Sequence, residues 1–174
     1  MARDNMILTG FMGAGKSTVG RKMAQMTGKS FLDTDLLIEE MMGMKISEIF
    51  EKLGEAKFRE AEKNIIKKLY DHNNTVFATG GGMPLDPENR EALKKAGHVI
   101  FLDVPEDILA ERLEGCKDRP LLAGYDLKER IRELLSIRRP LYTEGAHVTV
   151  EVGPDDPQSV VMKIFRALEK AGKY

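Results

Sequence analysis

Five short apolar runs recur along the chain: Asn5 to Leu8, Ser30 to Asp33, Thr75 to Thr79, Val99 to Asp103 and His147 to Val152. Longer segments with apolar residues at helical spacing lie between them. Lys16 to Thr27 reads as a helix closed by Gly28, a residue suited to the position just past a helix end. Ala56 to Tyr70 carries Phe58, Ala61, Ile65, Ile66 and Leu69 on one stripe. Pro87, Pro105 and Pro157 each stand just inside the start of a helical segment, where a missing N–H costs nothing. Asp126 to Ile137 and Pro157 to Ala171 complete the helices. Alternation of strands and helices predicts an α/β fold with a parallel sheet. Gly115 to Gly124 fits neither pattern: it is charged, flanked by glycines and longer than most helix–helix connections. Long ordered loops of this kind are often active-site lids.

The chain's 174 residues suit one domain, and no internal repeat, low-complexity tract or linker divides residues 1–174. With 27 basic against 28 acidic residues, no basic surplus argues for nucleic acid or an anionic membrane as partner. A single cysteine, Cys116, excludes an internal disulfide, and His72, His98 and His147 match no metal-ligand spacing. The first residues carry an acidic side chain where a signal peptide needs its apolar core, and no apolar stretch approaches a membrane span. A cytoplasmic monomer is the expectation.

Gly10 to Ser17 reads G-F-M-G-A-G-K-S, the G-x-x-x-x-G-K-S phosphate-binding pattern, directly after a predicted strand and opening a predicted helix. Glycines at this spacing let backbone N–H groups converge on phosphate oxygens, and the helix N-terminus adds its positive end. Lys16 would reach the outer phosphates, and the Ser17 hydroxyl would hold Mg²⁺ directly. The guanine-reading N-K-x-D segment of a GTPase is absent from the sequence. Val99 to Asp103 resembles a Walker B strand, but Pro105 follows so soon that Asp103 also reads as a residue preceding the next helix.

Asp33 and Asp35 follow the second run, and in an extended strand they would face the same way about 7 Å apart. Two readings stand. A nucleotide-bound Mg²⁺ would let both carboxylates coexist, one supporting the metal's waters and one accepting a proton from an attacking hydroxyl. Alternatively, Asp33 ends the strand and Asp35 caps the following helix. Consecutive α/β elements are usually adjacent, which would set this strand beside the phosphate loop. Arg59 and Glu62 sit three apart on one helix, the spacing of an ordinary surface ion pair. Thr79 to Gly82 would suit close approach of backbone to a ligand, or a flexible turn. Arg119 and Arg138 are isolated basic residues whose plainest reading is an exposed side chain.

Taken together these segments resemble shikimate kinase over nearly the whole chain. G-F-M-G-A-G-K-S-T-V-G, D-T-D, I-S-E-I-F, G-E-x-x-F-R-x-x-E, the triple glycine, R-P-L-L and R-x-P-L-Y occur in the family's order. The resemblance implies a five-stranded parallel sheet with helices on both faces, of the nucleoside monophosphate kinase type. It implies transfer of phosphate from ATP to the 3-hydroxyl of shikimate, a step toward chorismate and the aromatic amino acids, with Mg²⁺ as cofactor. By the same resemblance Asp35 would bind the reacting hydroxyl as base, with Asp33 supporting Mg²⁺ through water. Arg59 and Arg138 would grip the acceptor carboxylate and Glu62 would orient Arg59. Phe50 and Phe58 would face the ring, and Gly80, Gly81 and Gly82 would line its hydroxyls. Gly13, Ala14, Gly15, Lys16, Ser17 and Thr18 would cradle the phosphates. Arg119 would swing in with a lid spanning about 112–124, Arg112 and Pro157 would sandwich adenine, and acceptor contacts would concentrate in about 33–62. Met12 stands where the family often has proline, at a point where only backbone should face the phosphates. Two rivals remain: a kinase of another small hydroxy acid such as gluconate, and a nucleotide-binding module or ATPase that transfers phosphate only to water.

Overall fold

The computed structural model describes residues 4–116, 121, 122 and 124–173. Its elements run β1 (Met6–Thr9), α1 (Lys16–Thr27), β2 (Ser30–Asp33), α2 (Thr34–Met42), α3 (Ile46–Leu69), β3 (Thr75–Ala78), a 3₁₀ turn (Met83–Leu85), α4 (Pro87–Ala96), β4 (His98–Asp103), α5 (Glu106–Leu113), α6 (Leu127–Gly145), β5 (Val148–Glu151) and α7 (Pro157–Lys170). The five expected strands are all present and form one parallel sheet in the order β2-β3-β1-β4-β5. Successive side chains of β1 serve opposite faces. Met6 and Leu8 join Val19, Met23, Ile164 and Leu168 under α1 and α7. Ile7 instead joins Ile65, Ile66, Leu69 and Leu93 under α3 and α4. Cover on both faces is why the central strands read as unbroken apolar runs. Among the described residues, no helix is long and apolar enough to cross a membrane.

β1 is the first strand, yet it lies at the centre of the sheet with β3 on one side and β4 on the other. The loops leaving β1, β2 and β3 therefore gather at one edge, where the strand order reverses and where ligands of open α/β sheets bind. β2 pairs with β3 and not with β1, yet its end at Asp33 meets Ser17 of the phosphate loop, as expected of consecutive elements. Asp33 lies level with Ala78 in that register, just below the glycine loop.

Four local expectations are revised. The extended D-T-D segment does not form, because the strand ends at Asp33 and α2 begins at Thr34. The cap is Asp33 instead of Asp35: its Oδ1 accepts from the Asp35 and Leu36 N–H groups, at 3.0 and 3.4 Å. Pro105 occupies the cap position of α5 instead of its first turn. α6 runs past Ile137 to Gly145 with Pro140 inside it, a residue that withholds one helical N–H without ending this helix.

The largest revision concerns α3, which begins at Ile46 instead of Ala56 and contains a break at Gly54. There φ is 81° and ψ 166°, a backbone state open essentially only to glycine. The turn of helix before the break presents Phe50, and the longer arm after it presents Phe58, Arg59 and Glu62. The bend brings the Phe50 and Phe58 rings to 4.9 Å at a tilt of 43°, so the two arms meet as one aromatic wall.

Candidate active site

The phosphate loop joins β1 to α1. Lys16 is nearly buried there, with Nζ donating to the Gly10 carbonyl at 2.9 Å and the Phe11 carbonyl at 2.8 Å. Those bonds satisfy a desolvated ammonium beneath the loop. Gly13, Gly15, Lys16, Ser17 and Thr18 line a cleft with Met12, Asp33, Asp35, Thr79 and Gly81, and Ala14 is buried behind it. The Ser17 hydroxyl donates to Asp33 Oδ2 at 2.5 Å. Asp33 thus caps α2 with one oxygen and meets the phosphate-loop serine with the other. A hydroxyl and a carboxylate facing one phosphate cleft are hard oxygen donors of the kind Mg²⁺ takes, so this pair fits the metal that nucleotide phosphates carry.

A second cleft opens on the other side of Asp35. It is lined by Met12, Asp35, Ile46, Phe50, Phe58, Arg59, Glu62, Gly80, Gly81, Gly82, Leu121 and Arg138. Every residue assigned by resemblance to the acceptor is in that lining. The Arg59–Glu62 pair is not a surface ion pair. Arg59 Nη1 donates at 2.6 Å to Glu62 Oε2, and Glu62 is 0% exposed. Arg59 Nη2 donates to Glu55 at 3.0 Å. Arg138 is likewise not an exposed side chain: it is 6% exposed, with its guanidinium over the Phe11 ring at 5.7 Å. Two guanidiniums in one apolar-walled cleft make a receptor for a planar anion such as a carboxylate.

The glycines are close-packed against this machinery. A side chain on Gly80 would place its Cβ 2.6 Å from Asp35 Oδ1 and 3.2 Å from Glu62 Oε1. On Gly82 it would overlap the Arg59 guanidinium, at 2.7 Å from Cζ. The triple glycine is therefore a floor over which two carboxylates and an arginine lie, and the flexible-turn reading fails.

Glu62 is held under electrostatic tension. Burial pushes its pKa up to about 7, the Arg59 guanidinium opposes that rise, and the Asp35 carboxylate adds to it. Glu62 Oε1 has no hydrogen-bond partner among the described residues, which leaves one buried oxygen where a proton can reside. Because the folded value lies above the ordinary carboxylate value of 4.5, the native state holds more proton than the unfolded chain between these limits. That stabilisation is complete below about pH 4.5 and is lost as pH rises through about 7. Urea unfolding of the protein and its Glu62→Gln variant should show the difference in stability changing by on the order of 2 kcal/mol across that window. A difference that does not vary with pH would remove Glu62 as a titrating group.

Several other positions resolve differently. Arg112 ends α5 and donates to the Gly13 carbonyl at 3.2 Å, so it reaches the phosphate loop. Pro157 opens α7 behind an Asp156 cap and lies in the lining of neither cleft. Asp103 pairs with Arg139 at 2.9 Å and lines a separate surface groove with Glu106 and Lys163, outside both clefts. Arg119 lies outside the described residues, as does most of the middle of the expected lid. Leu121, just beyond it, meets the acceptor cleft. Met12 lines both clefts.

Two residues escaped the sequence reading. Thr34, the middle residue of D-T-D, is fully buried, and its hydroxyl accepts the Gly80 N–H at 3.0 Å. Tyr142 is also fully buried and donates to the Gly81 carbonyl at 2.6 Å. The only signal for either was position, between two aspartates and four residues after Arg138.

A family model described as shikimate kinase matches residues 12–169. A shikimate kinase of Caldanaerobacter subterraneus subsp. tengcongensis is 45% identical over 166 residues, covering 95% of this chain and 96% of that protein. The solved structure of a shikimate kinase from Acinetobacter baumannii in complex with shikimate superposes with a TM-score of 0.92 at 40% identity, covering 97% of this chain and 94% of that one. A gluconokinase structure from Sinorhizobium meliloti covers the same 97% of this chain at a TM-score of 0.57 and 16% identity, a likeness of fold alone.

Proposed function

Since the chain belongs to the shikimate kinase family, we propose that its two clefts are the two halves of one phosphotransferase site, passing phosphate from ATP to the 3-hydroxyl of shikimate. The observation that carries this reading is the junction: Met12, Asp35 and Gly81 line both the phosphate cleft and the cleft that holds two arginines. A donor phosphate and an acceptor hydroxyl would meet across Asp35, which accepts the hydroxyl proton as the new P–O bond forms and the bond from that phosphorus to the departing ADP oxygen breaks. Arg59 and Arg138 bind the acceptor carboxylate and so fix which hydroxyl faces the donor. Phe50 and Phe58 cover the apolar face of the ring, Gly80 leaves room for it, and Gly81 and Gly82 offer backbone donors to its hydroxyls. Glu62 holds Arg59 in place.

On the donor side, Gly13 to Thr18 cradle the phosphates, Lys16 offsets their charge, and Arg119 adds a second positive group. Arg112 and Pro157 bracket the adenine. Ser17, directly, and Asp33, through water, would hold Mg²⁺, which supplies further charge neutralisation on the phosphates. With reactants held in place, catalysis rests mainly on positioning and electrostatics.

The test is ADP release against a panel of cyclic hydroxy acids and sugar acids that includes shikimate and gluconate. Shikimate should give a rate well above the acceptor-free background and gluconate none. A rate with gluconate but not shikimate would overturn the substrate, and turnover indifferent to every acceptor would point to an ATPase. Arg59→Ala should raise the shikimate KM by about 10–100-fold, the loss expected for a charge-assisted bidentate pair, with the ATP KM little changed. An unaltered acceptor KM would end the carboxylate-clamp assignment.

A further inference from the structure

We propose that Thr34 is a positioning residue for the phosphoryl transfer, its hydroxyl fixing the turn that carries Asp35 against the glycine loop. The inference rests on the kinase reading above and deepens it.

The local need for that hydroxyl comes from the end of the sheet. β2 and β3 pair in parallel, with Leu32 level with Phe77 and Asp33 level with Ala78. At Thr79 the backbone N–H turns toward β1 and donates to the Leu8 carbonyl at 3.1 Å. Successive N–H groups of an extended chain point to opposite sides, so that of Gly80 turns toward β2. By that level α2 has begun, and helix carbonyls point along the axis to their own N–H partners instead of across a sheet. A buried N–H without an acceptor is costly. The Thr34 hydroxyl supplies one, accepting the Gly80 N–H at 3.0 Å from a fully buried side chain. A side chain thus extends the ladder one step past the end of its strand.

That step falls where the two clefts join. Thr34 and Ile38 are the buried residues of α2, so in the turn that carries Asp35 the anchor is Thr34. Gly80 lies beneath the Asp35 carboxylate: a Cβ there would be 2.6 Å from Oδ1. The glycine loop is also held on its other sides. The Met83 N–H donates to the Gly80 carbonyl at 3.2 Å, and the Tyr142 hydroxyl donates to the Gly81 carbonyl at 2.6 Å. Gly81 and Gly82 in turn line the acceptor cleft. One bond between residues 46 apart in sequence therefore ties the base to the floor on which the acceptor rests. Proton transfer and in-line attack depend steeply on that spacing.

Thr34→Val keeps the shape of the side chain and removes the acceptor oxygen. It should lower kcat for shikimate-dependent ADP formation about 10–100-fold, while the KM for shikimate and for ATP each change less than about threefold. Thr34→Ser, which restores the oxygen, should recover kcat to within about threefold of the original. In the Asp35→Asn background, where no base remains to position, Thr34→Val should cost less than about threefold further. Rates are read well below the melting temperature of each variant, so that loss of fold does not enter them. A Val variant with unchanged kcat, or with a raised shikimate KM alone, would overturn the proposal. So would a full additional loss in the Asn background. A Val variant that fails to fold while the Ser variant turns over normally would also overturn it, since the hydroxyl would then act on stability. Absence of shikimate-dependent turnover in the unmodified protein would strike the kinase reading itself, and this proposal with it.

Discussion

Asp35→Asn should lower shikimate-dependent ADP formation by about 10²–10⁴-fold, the contribution of a positioned general base. The substitution is nearly isosteric and keeps a hydrogen-bonding side chain, so the binding of both substrates should change far less than the rate. Position explains the size of the effect. Asp35 lies in the first turn of α2, where the positive end of the helix favours a carboxylate. It borders both clefts, and its Oδ1 lies over Gly80 beside Glu62. An amide there can orient the acceptor hydroxyl but cannot take its proton. Single-turnover quench-flow at saturating substrates measures the step directly. Full turnover in the Asn variant would remove Asp35 from the chemistry and reopen the reading in which phosphate passes only to water.

Lys16→Met should cost about 10³-fold in kcat, with a smaller rise in the ATP KM. Methionine approximates the length and the apolar stem of lysine, so the variant isolates the charge. Nearly buried beneath the loop, the ammonium acts where water screens it poorly, and its effect on developing phosphate charge is correspondingly large. The two carbonyls it now satisfies, at Gly10 and Phe11, would lose a partner, so a modest fall in stability should accompany the loss of rate. Thermal melts with and without ATP separate the two effects. A Met variant that turned over normally would assign the phosphate charge to other groups.

How far the sequence foretold the molecule depended on whether the relevant force was local. The three central strands, β3, β1 and β4, were legible because burial on both faces leaves an unbroken apolar run, as in Met6 to Leu8. The phosphate loop was legible because its pattern encodes a local shape. The first arm of α3 was not, since Gly54 interrupts the helical period that would have announced Ile46 to Leu53. The length of α6 was hidden by Pro140, whose local cost the packing of Leu134, Leu135 and Tyr142 outweighs. Charge was the hardest to place. Arg59, Glu62 and Arg138 carry the composition of a solvated surface, and only the folded arrangement gathers them into one cleft. Thr34 and Tyr142 hold the glycine loop across 46 and 61 residues of chain, distances at which no spacing rule applies.

The break at Gly54 has a consequence for what the chain can tolerate there. Among the described residues nothing meets an added Cβ there within 4 Å, so a methyl group would find space. What excludes it is torsion, at roughly 1–3 kcal/mol for an L-residue forced into that backbone state. Alanine would thus meet a torsional obstacle, whereas at Gly82 the obstacle is the Arg59 guanidinium itself. Position 54 discriminates by handedness. A D-alanine, for which φ of 81° is the ordinary sign, would sit there at ease, and the bend that shapes the acceptor wall would be more firmly set than glycine leaves it.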